Sequence, residues 1–179
     1  MKRLALALCT LAAFATDARA DAIDDLRDAI SARLSLMTDV AKYKWNRILP
    51  VVDAEREAAL VASATRDAVA RGVPEPWARR VIEAQIAASR ALQVAATEQW
   101  RAQQHAAFSG VPDLASAQRP AIDAATARLV EALAAARCAL VAGDTESRLA
   151  ASPAGLGASV WTIATAALWP TPHDGCAAP

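Results

Sequence analysis

Residues 22–49 read AIDDLRDAISARLSLMTDVAKYKWNRIL, and this stretch decides the fold. Its apolar residues recur every three or four positions, at Ile23, Leu26, Ile30, Leu34, Met37, Val40, Ala41 and Trp45. That spacing places them on one face of a helix, so the stretch predicts one long amphipathic helix. Pro50 ends it, because the residue before a proline is disfavoured in the α region.

The rest of the chain continues as helices separated by proline and glycine. Asp53 is placed to cap a second helix and Gly72 to end it. In order, the expected elements are helices over about 53–71 and 74–104, a loop over 109–118, a helix over about 119–142 that ends at Gly143, and shorter helices near 144–151 and 158–168. Strand signals are absent from the sequence, and the prediction is an all-α helical bundle.

The composition agrees with a helical fold and excludes several classes of function. The 179 residues are 55% hydrophobic with only six glycines, and much of the hydrophobic fraction is alanine, the best helix former. Equal numbers of basic and acidic residues, 19 of each, argue against a chain held on nucleic acid by its net charge. Two histidines and three cysteines argue against zinc or iron–sulfur chemistry, so we expect neither a metal nor another cofactor.

The first twenty residues have the pattern of an export signal. Lys2 and Arg3 precede an apolar run of about twelve residues, which is too short to span a bilayer of roughly 30 Å. Residues 18–20, Ala-Arg-Ala, match the small-x-small cleavage rule. We expect cleavage after Ala20 and a periplasmic or secreted mature chain, over residues 21–179, that is free of the membrane. An uncleaved first helix is the alternative.

Removal of that segment would leave two cysteines, Cys138 and Cys176, and a net charge of about −2. In an oxidising compartment the two cysteines are expected to pair. The bridge would close a 38-residue loop and stabilise the fold by roughly 4 kcal/mol in the chain-entropy model. Two free thiols are the alternative.

Several polar side chains lie on helix faces that otherwise carry apolar residues. Arg33 and Lys44 are eleven residues apart, so both project from one face of the first helix, about 16 Å apart along its axis. The others are spaced three or four residues apart, with Asp53, Arg56 and Glu57 on the second helix and Gln85, Ser89 and Gln93 on the third. Taken singly, each set is explained by a helix cap, a surface ion pair or a cation whose head reaches solvent.

Taken together, these residues resemble the all-helical, AroQ-type chorismate mutases. Three motifs carry the resemblance over about residues 26–100: R-L-S-L-x3-V-A-x-Y-K-W from Arg33, V-x-D-x-x-R-E from Val51, and Q-I-x-A-S-R-x-L-Q from Gln85. The export signal and the long C-terminal extension are similar to the secreted, gamma subclass, in which an arginine after the third helix completes the site within one subunit. Here the segment P-D-L-A-S-A-Q-R-P-A-I-D supplies Arg119, with one extra residue relative to the family.

The resemblance implies one domain of catalytic helices over about 22–105 and a C-terminal helical extension over about 119–179, in a homodimer. It also implies an isomerase that rearranges the dianion chorismate to prephenate in one pericyclic step, without a nucleophile or metal. Such a catalyst holds the compact substrate conformer and stabilises charge on the ether oxygen. By resemblance, Arg33 and Arg119 bind the carboxylates, Lys44 and Gln93 donate to the ether oxygen, Glu57 and the backbone at Asp53 bind the ring hydroxyl, Ser89 supports a carboxylate, and Arg56 orders the acidic residues.

Two other functions stay open from the sequence. An isochorismate-pyruvate lyase on the same fold uses a similar set of cations, although Glu57 is placed for the hydroxyl of chorismate and favours the mutase. A non-enzymatic periplasmic helical module would use the same polar residues as ion pairs between helices. No nucleic-acid partner is expected for any of the three.

Overall fold

The structure is a computed structural model that describes residues 21–141 and 145–169. Its elements are α1 (residues 21–35), α2 (Met37–Arg47), α3 (Ala54–Ala70), α4 (Glu75–Ala102), a π-helical turn (Leu114–Gln118), α5 (Arg119–Val141), α6 (Glu146–Ala150) and α7 (Ala158–Thr165). No strand occurs in these two ranges, and the predicted all-α class is confirmed. None of the helices described there combines the length and apolar character needed to cross a membrane.

The long first helix predicted from the sequence forms as α1 and α2, with an interruption and an earlier end. Leu36 separates the two but keeps right-handed helical angles, φ −68° and ψ −20°, so the apolar face continues across it. The expected end at Leu49 is wrong: α2 ends at Arg47 because Ile48 adopts a left-handed conformation with φ 53°. The Leu49 amide then donates to the Lys44 carbonyl at 2.9 Å, which caps the last turn.

The ends of α3 and the start of α4 follow the predicted signals. The Asp53 carboxylate caps α3 by accepting a hydrogen bond from the Arg56 amide at 3.2 Å. Gly72, with φ 81°, follows the end of α3 in a conformation that favours glycine. Pro74 precedes α4 and Pro76 lies in its first turn. Backbone amides in the first turn have no acceptor within the helix, so a proline there costs no hydrogen bond.

The prediction of a loop over 109–118 is wrong for the C-terminal part of that range. Leu114–Gln118 is a π-helical turn that leads directly into α5. Asp113 caps this turn, because its carboxylate accepts hydrogen bonds from the amides of Ala115 at 3.0 Å and Ser116 at 2.9 Å. α7 also ends earlier than predicted, at Thr165.

Some predicted features lie outside the described residues. They are the export signal over 1–20, the helix stop at Gly143, and Cys176 in the C-terminal segment. Cys138 lies on the exposed side of α5. The disulfide and the cleavage after Ala20 therefore stay predictions.

α4 packs at the centre of the bundle, in contact with α2, α3 and α7. The largest fully buried side chains come from several helices and form one cluster: Ile23, Leu26, Ile30, Leu34, Trp77, Ile82, Leu129, Leu133 and Trp161. Burial of such apolar surface is the main stabilising contribution to the fold. Since α1, α4, α5 and α7 all contribute, the C-terminal extension is part of the same core.

One buried polar contact joins the C-terminal extension to α4, and a second joins two helices within the extension. The Gln85 side chain on α4 donates to the Ala164 carbonyl of α7 at 2.8 Å. The Trp161 indole on α7 donates to the Leu149 carbonyl of α6 at 2.6 Å. Buried donors need such partners, so these contacts fix the position of α7 on α4.

Candidate active site

The eight residues to which the resemblance gives a role in the site all line one cavity between α1 and α5. They are Arg33, Lys44, Asp53, Arg56, Glu57, Ser89, Gln93 and Arg119. Apolar side chains complete the walls, among them Met37, Leu60 and Ile122. The structure therefore brings together polar residues that are up to 86 positions apart in the sequence.

Arg33 is the most deeply buried cation of the cavity, with 2% of its surface exposed. Its guanidinium donates to the Thr126 hydroxyl at 3.1 Å, the Ser89 hydroxyl at 2.8 Å and the Gln85 carbonyl at 3.3 Å. Burial lowers the pKa of Arg33 to about 10, so it stays charged at neutral pH. All three of these acceptors are neutral, and a buried charge with neutral partners retains a strong attraction for an anion.

Lys44 places a second buried cation at the cavity. Its ammonium donates to the Val51 carbonyl in the segment that joins α2 to α3. Burial lowers the pKa of Lys44, whereas the carboxylates of Asp53 and Glu57 raise it and thereby oppose part of that effect. The ammonium is thus fixed between the end of α2 and the start of α3.

Two ion pairs join α3 to α5 beside the cavity. Arg119, the first residue of α5, places its Nη2 atom 3.2 Å from Oδ2 of Asp53. Arg56 pairs with Asp123 on α5. Both pairs are partly exposed, and each such pair contributes little to stability. Their effect on the cavity is to hold Arg119 against the N-terminus of α3.

Gln93 and Ser89 provide the polar side of the cavity on α4. The Gln93 amide nitrogen donates to the Ser89 carbonyl at 3.1 Å and lies 3.8 Å from the Met37 sulfur. Its oxygen makes no hydrogen bond with the described residues. A thioether is a weak acceptor, so a ligand oxygen can replace Met37 as the acceptor at low cost.

Arg90 is the cavity residue that sequence reasoning missed. Its Nε donates to Oε1 of Glu57 at 3.1 Å, and its Nη2 pairs with Oε2 of the same carboxylate. This hydrogen bonding raises the pKa of Arg90. The residue stands inside the Q-I-x-A-S-R-x-L-Q motif, but only the packing of α4 on α3 shows that it faces Glu57.

The side chains around the cavity carry an excess of positive charge. Five are cationic, Arg33, Lys44, Arg56, Arg90 and Arg119, and two are anionic, Asp53 and Glu57. The described parts of the chain contain no cluster of three or more metal-binding side chains of the His, Cys, Asp or Glu types. The arrangement suits a small anion with more than one negative group, held by hydrogen bonds and charge.

Sequence comparison relates this chain to known proteins. The profile of the family described as chorismate mutase type II matches residues 17–94. The secreted chorismate mutase of Mycobacterium tuberculosis is 33% identical over 116 residues, which cover 63% of this chain and 58% of that protein. This chain thus aligns with less than two thirds of the length of that relative.

Two crystal structures are similar over most of the chain. The chorismate mutase of Burkholderia thailandensis is 35% identical with a TM-score of 0.75, over 82% of this chain and 98% of that one. The chorismate mutase of Burkholderia phymatum is 26% identical with a TM-score of 0.78, over 86% of this chain and 99% of that one. The similarity therefore extends beyond α4 into the C-terminal helices.

Proposed function

The chain belongs to the chorismate mutase type II family, and from that premise we propose that it is an isomerase that rearranges chorismate to prephenate. The buried guanidinium of Arg33 carries the proposal, because its three hydrogen bonds go to neutral acceptors and it lines a cavity with further cations. Chorismate has two carboxylates and matches that excess of positive charge.

In this reaction one carbon–oxygen bond breaks as one carbon–carbon bond forms within the same molecule. The protein therefore contributes binding and electrostatic stabilisation. Holding the compact conformer removes much of the entropic barrier. Donors aimed at the ether oxygen stabilise the negative charge that grows there. A rate gain of about 10⁶-fold needs roughly 8 kcal/mol, which these two effects can supply together.

We assign roles to the cavity residues on the resemblance to the family and on their placement in the cavity. Arg33 and Arg119 bind the two carboxylates, with Ser89 supporting the group at Arg33. Lys44 on α2 and Gln93 on α4 donate to the ether oxygen. Glu57 and the backbone at Asp53 bind the ring hydroxyl. The resemblance implies that Arg56 orders the acidic residues, but the Arg56 guanidinium pairs with Asp123, so we assign it the role of fixing the start of α3.

One assay separates this proposal from the two other functions. The purified chain is incubated with chorismate or isochorismate, and the products are identified by chromatography. Prephenate from chorismate is the expected result. Salicylate and pyruvate from isochorismate would show a lyase instead, and no turnover of either compound would favour a non-enzymatic binding module.

Lys44→Ala tests the assigned chemistry, with Lys42→Ala as the matched control. Lys42 lies on the same helix but pairs with Asp39 at 2.9 Å away from the cavity. Loss of a donor to the developing charge lowers kcat by about 10²–10³-fold, whereas the control keeps wild-type activity. Circular dichroism of both variants should show unchanged helix content. Activity of Lys44→Ala within a few-fold of wild type would remove Lys44 from the mechanism.

We further propose that the protein is exported, is cleaved after Ala20, and acts as a homodimer. The signal pattern of residues 1–20 and the similarity to the secreted chorismate mutase of M. tuberculosis support export. The mass of the protein recovered from the cell exterior or periplasm tests the cleavage site. Light scattering during size-exclusion chromatography tests the dimer.

A further inference from the structure

We propose that Arg90 is a positioning residue for Glu57, which orients that carboxylate toward the ring hydroxyl of the substrate. The inference rests on the proposed mutase function and adds a residue to it. Arg90 lies on α4 directly after Ser89, and Glu57 lies in the first turn of α3. The pair therefore crosses the gap between the two helices at the wall of the cavity.

The Arg90 guanidinium and the Glu57 carboxylate form a bidentate ion pair. The Nε and Nη2 atoms of Arg90 each contact a different oxygen of Glu57, with 3.1 Å for the Nε contact. A bidentate guanidinium fixes the plane of a carboxylate as well as its position. A carboxylate has about four lone-pair sites, so two stay available for a ligand after Arg90 has bound.

The surroundings make Arg90 the group that sets this plane. Glu57 and Arg90 line the candidate active site on one side and a second cavity between α3 and α4 on the other. Ala54, Ala58 and Ala87 line that second cavity with short side chains, and Glu83 lines it with a carboxylate. None of the four side chains offers the Glu57 carboxylate a hydrogen-bond donor. Without Arg90, no side chain of the second cavity would donate to the Glu57 carboxylate, so its plane would no longer be fixed.

Arg90 could instead act on the dianion through its charge alone, and a double-mutant cycle separates the two roles. The kcat and KM for chorismate are measured for wild type, Arg90→Ala, Glu57→Ala and the double variant. Coupled residues give non-additive losses. In the wild-type background, we expect Arg90→Ala to lower kcat/KM about tenfold, the effect of losing a hydrogen bond to a charged group. In the Glu57→Ala background, we expect the same substitution to lower kcat/KM by less than about twofold.

Arg90→Lys supplies the conservative variant, because an ammonium keeps the charge but cannot form the fork. We expect kcat to fall several-fold while KM stays within about twofold, since fewer bound molecules are held in the reactive conformer. Arg79→Ala is the control: Arg79 is also on α4, exposed and paired with a carboxylate, Glu75, at 2.9 Å. It should keep wild-type kinetics.

Equal losses from Arg90→Ala in both backgrounds, or full activity of Arg90→Lys or Arg90→Ala, would overturn the inference while leaving the mutase function in place. A wild-type chain that does not turn over chorismate would overturn both. Arg90→Gln, with thermal unfolding recorded alongside, replaces Arg90→Ala if the alanine variant is not folded.

Discussion

Arg33, which we propose to bind a substrate carboxylate, is a charged side chain in a buried position. Its charge is buried, and its described hydrogen bonds all go to neutral oxygens. Two of those acceptors have other bonds of their own, because the Thr126 and Ser89 hydroxyls donate to the carbonyls of Ile122 at 2.8 Å and Gln85 at 2.7 Å. Removing the guanidinium therefore leaves neither hydroxyl without a partner.

We predict that Arg33→Met abolishes turnover of chorismate and leaves the free energy of unfolding unchanged or raises it by about 1–2 kcal/mol. An apolar side chain of similar length fills the space without the cost of burying a charge. Urea unfolding and steady-state kinetics of the same preparation test both parts. A strong loss of stability would show that Arg33 is a structural cation rather than one kept for an anion.

The pH dependence of turnover should reflect Gln93 and Lys44. A glutamine donates at any ordinary pH, so we expect no steep change between about pH 5 and 8, where a glutamate in this position would have to be protonated. At alkaline pH the rate should fall as Lys44 loses its proton. Because burial lowers the pKa of Lys44, that loss comes at a lower pH than for an exposed lysine.

A pH–rate profile with helix content followed in parallel tests this expectation. The alkaline fall in kcat/KM reports the free enzyme, and that in kcat reports the complex. Since a bound dianion favours the charged ammonium, the fall in kcat should lie at higher pH. Steep loss between about pH 5 and 8 with the fold intact would contradict the role of Gln93.

Single residues were predictable from the sequence where a motif fixes them and not where tertiary packing does. Arg33 and Lys44 share a helix face that spacing alone defines. Arg90 has no such signal, because its partner Glu57 is 33 residues away on another helix. Thr126, which orients Arg33, was missed for the same reason.

At the scale of an element, the segment between α2 and α3 contains a strained residue. Ile48 is β-branched, has φ 53°, and exposes 94% of its surface. Left-handed backbone costs an ordinary L-residue about 1–2 kcal/mol, and Ile48 regains little of this through packing. The left-handed conformation of Ile48 ends α2, and the chain then turns so that the Val51 carbonyl accepts a hydrogen bond from Lys44.

We predict that Ile48→Asn raises the free energy of unfolding by about 1 kcal/mol, because asparagine tolerates this conformation and little apolar contact is lost. Val52→Asn is the matched control in the same segment: Val52 is 48% exposed and lacks a positive φ. It should not stabilise the protein. Denaturant unfolding of both variants decides the matter, and equal effects would argue that Ile48 is unstrained.

The elements themselves were largely predictable, because proline, glycine and capping residues mark most of their ends. Two of the three misplaced ends have local causes. The end of α2 depends on the left-handed Ile48, a conformation that an isoleucine does not signal. The turn at Leu114–Gln118 begins at Asp113, a capping residue placed among loop-forming neighbours.

At the scale of the whole molecule, the position of α7 on α4 could not be predicted from the sequence. Periodicity shows that a helix has an apolar face, but the partner of that face depends on three-dimensional packing. The bond from Gln85 to the Ala164 carbonyl also explains a polar residue that the sequence placed on a stripe with Ser89 and Gln93. The side chain of Gln85 holds α7 against α4, and the backbone carbonyl of Gln85 accepts a hydrogen bond from Arg33.

We predict a Cys138–Cys176 disulfide whose reduction destabilises the whole fold by roughly 4 kcal/mol in the chain-entropy model. Intact mass before and after alkylation, without and with reductant, measures the pairing. Thermal unfolding in the same two states measures its effect on stability. Alkylation of both thiols without reductant would contradict the prediction.

The contact of Ala164 with Gln85 links the two ends of the described chain, because Gln85 also accepts a hydrogen bond from Arg33. Arg33 leaves the ribosome early, yet the carbonyl it binds belongs to a residue whose side chain is held by α7, near the end of the chain. A nascent polypeptide that has not yet released α7 lacks that support. We therefore expect a chain truncated before α7 to lose part of the support for Arg33, and with it part of the proposed mutase activity, even though every motif residue is present.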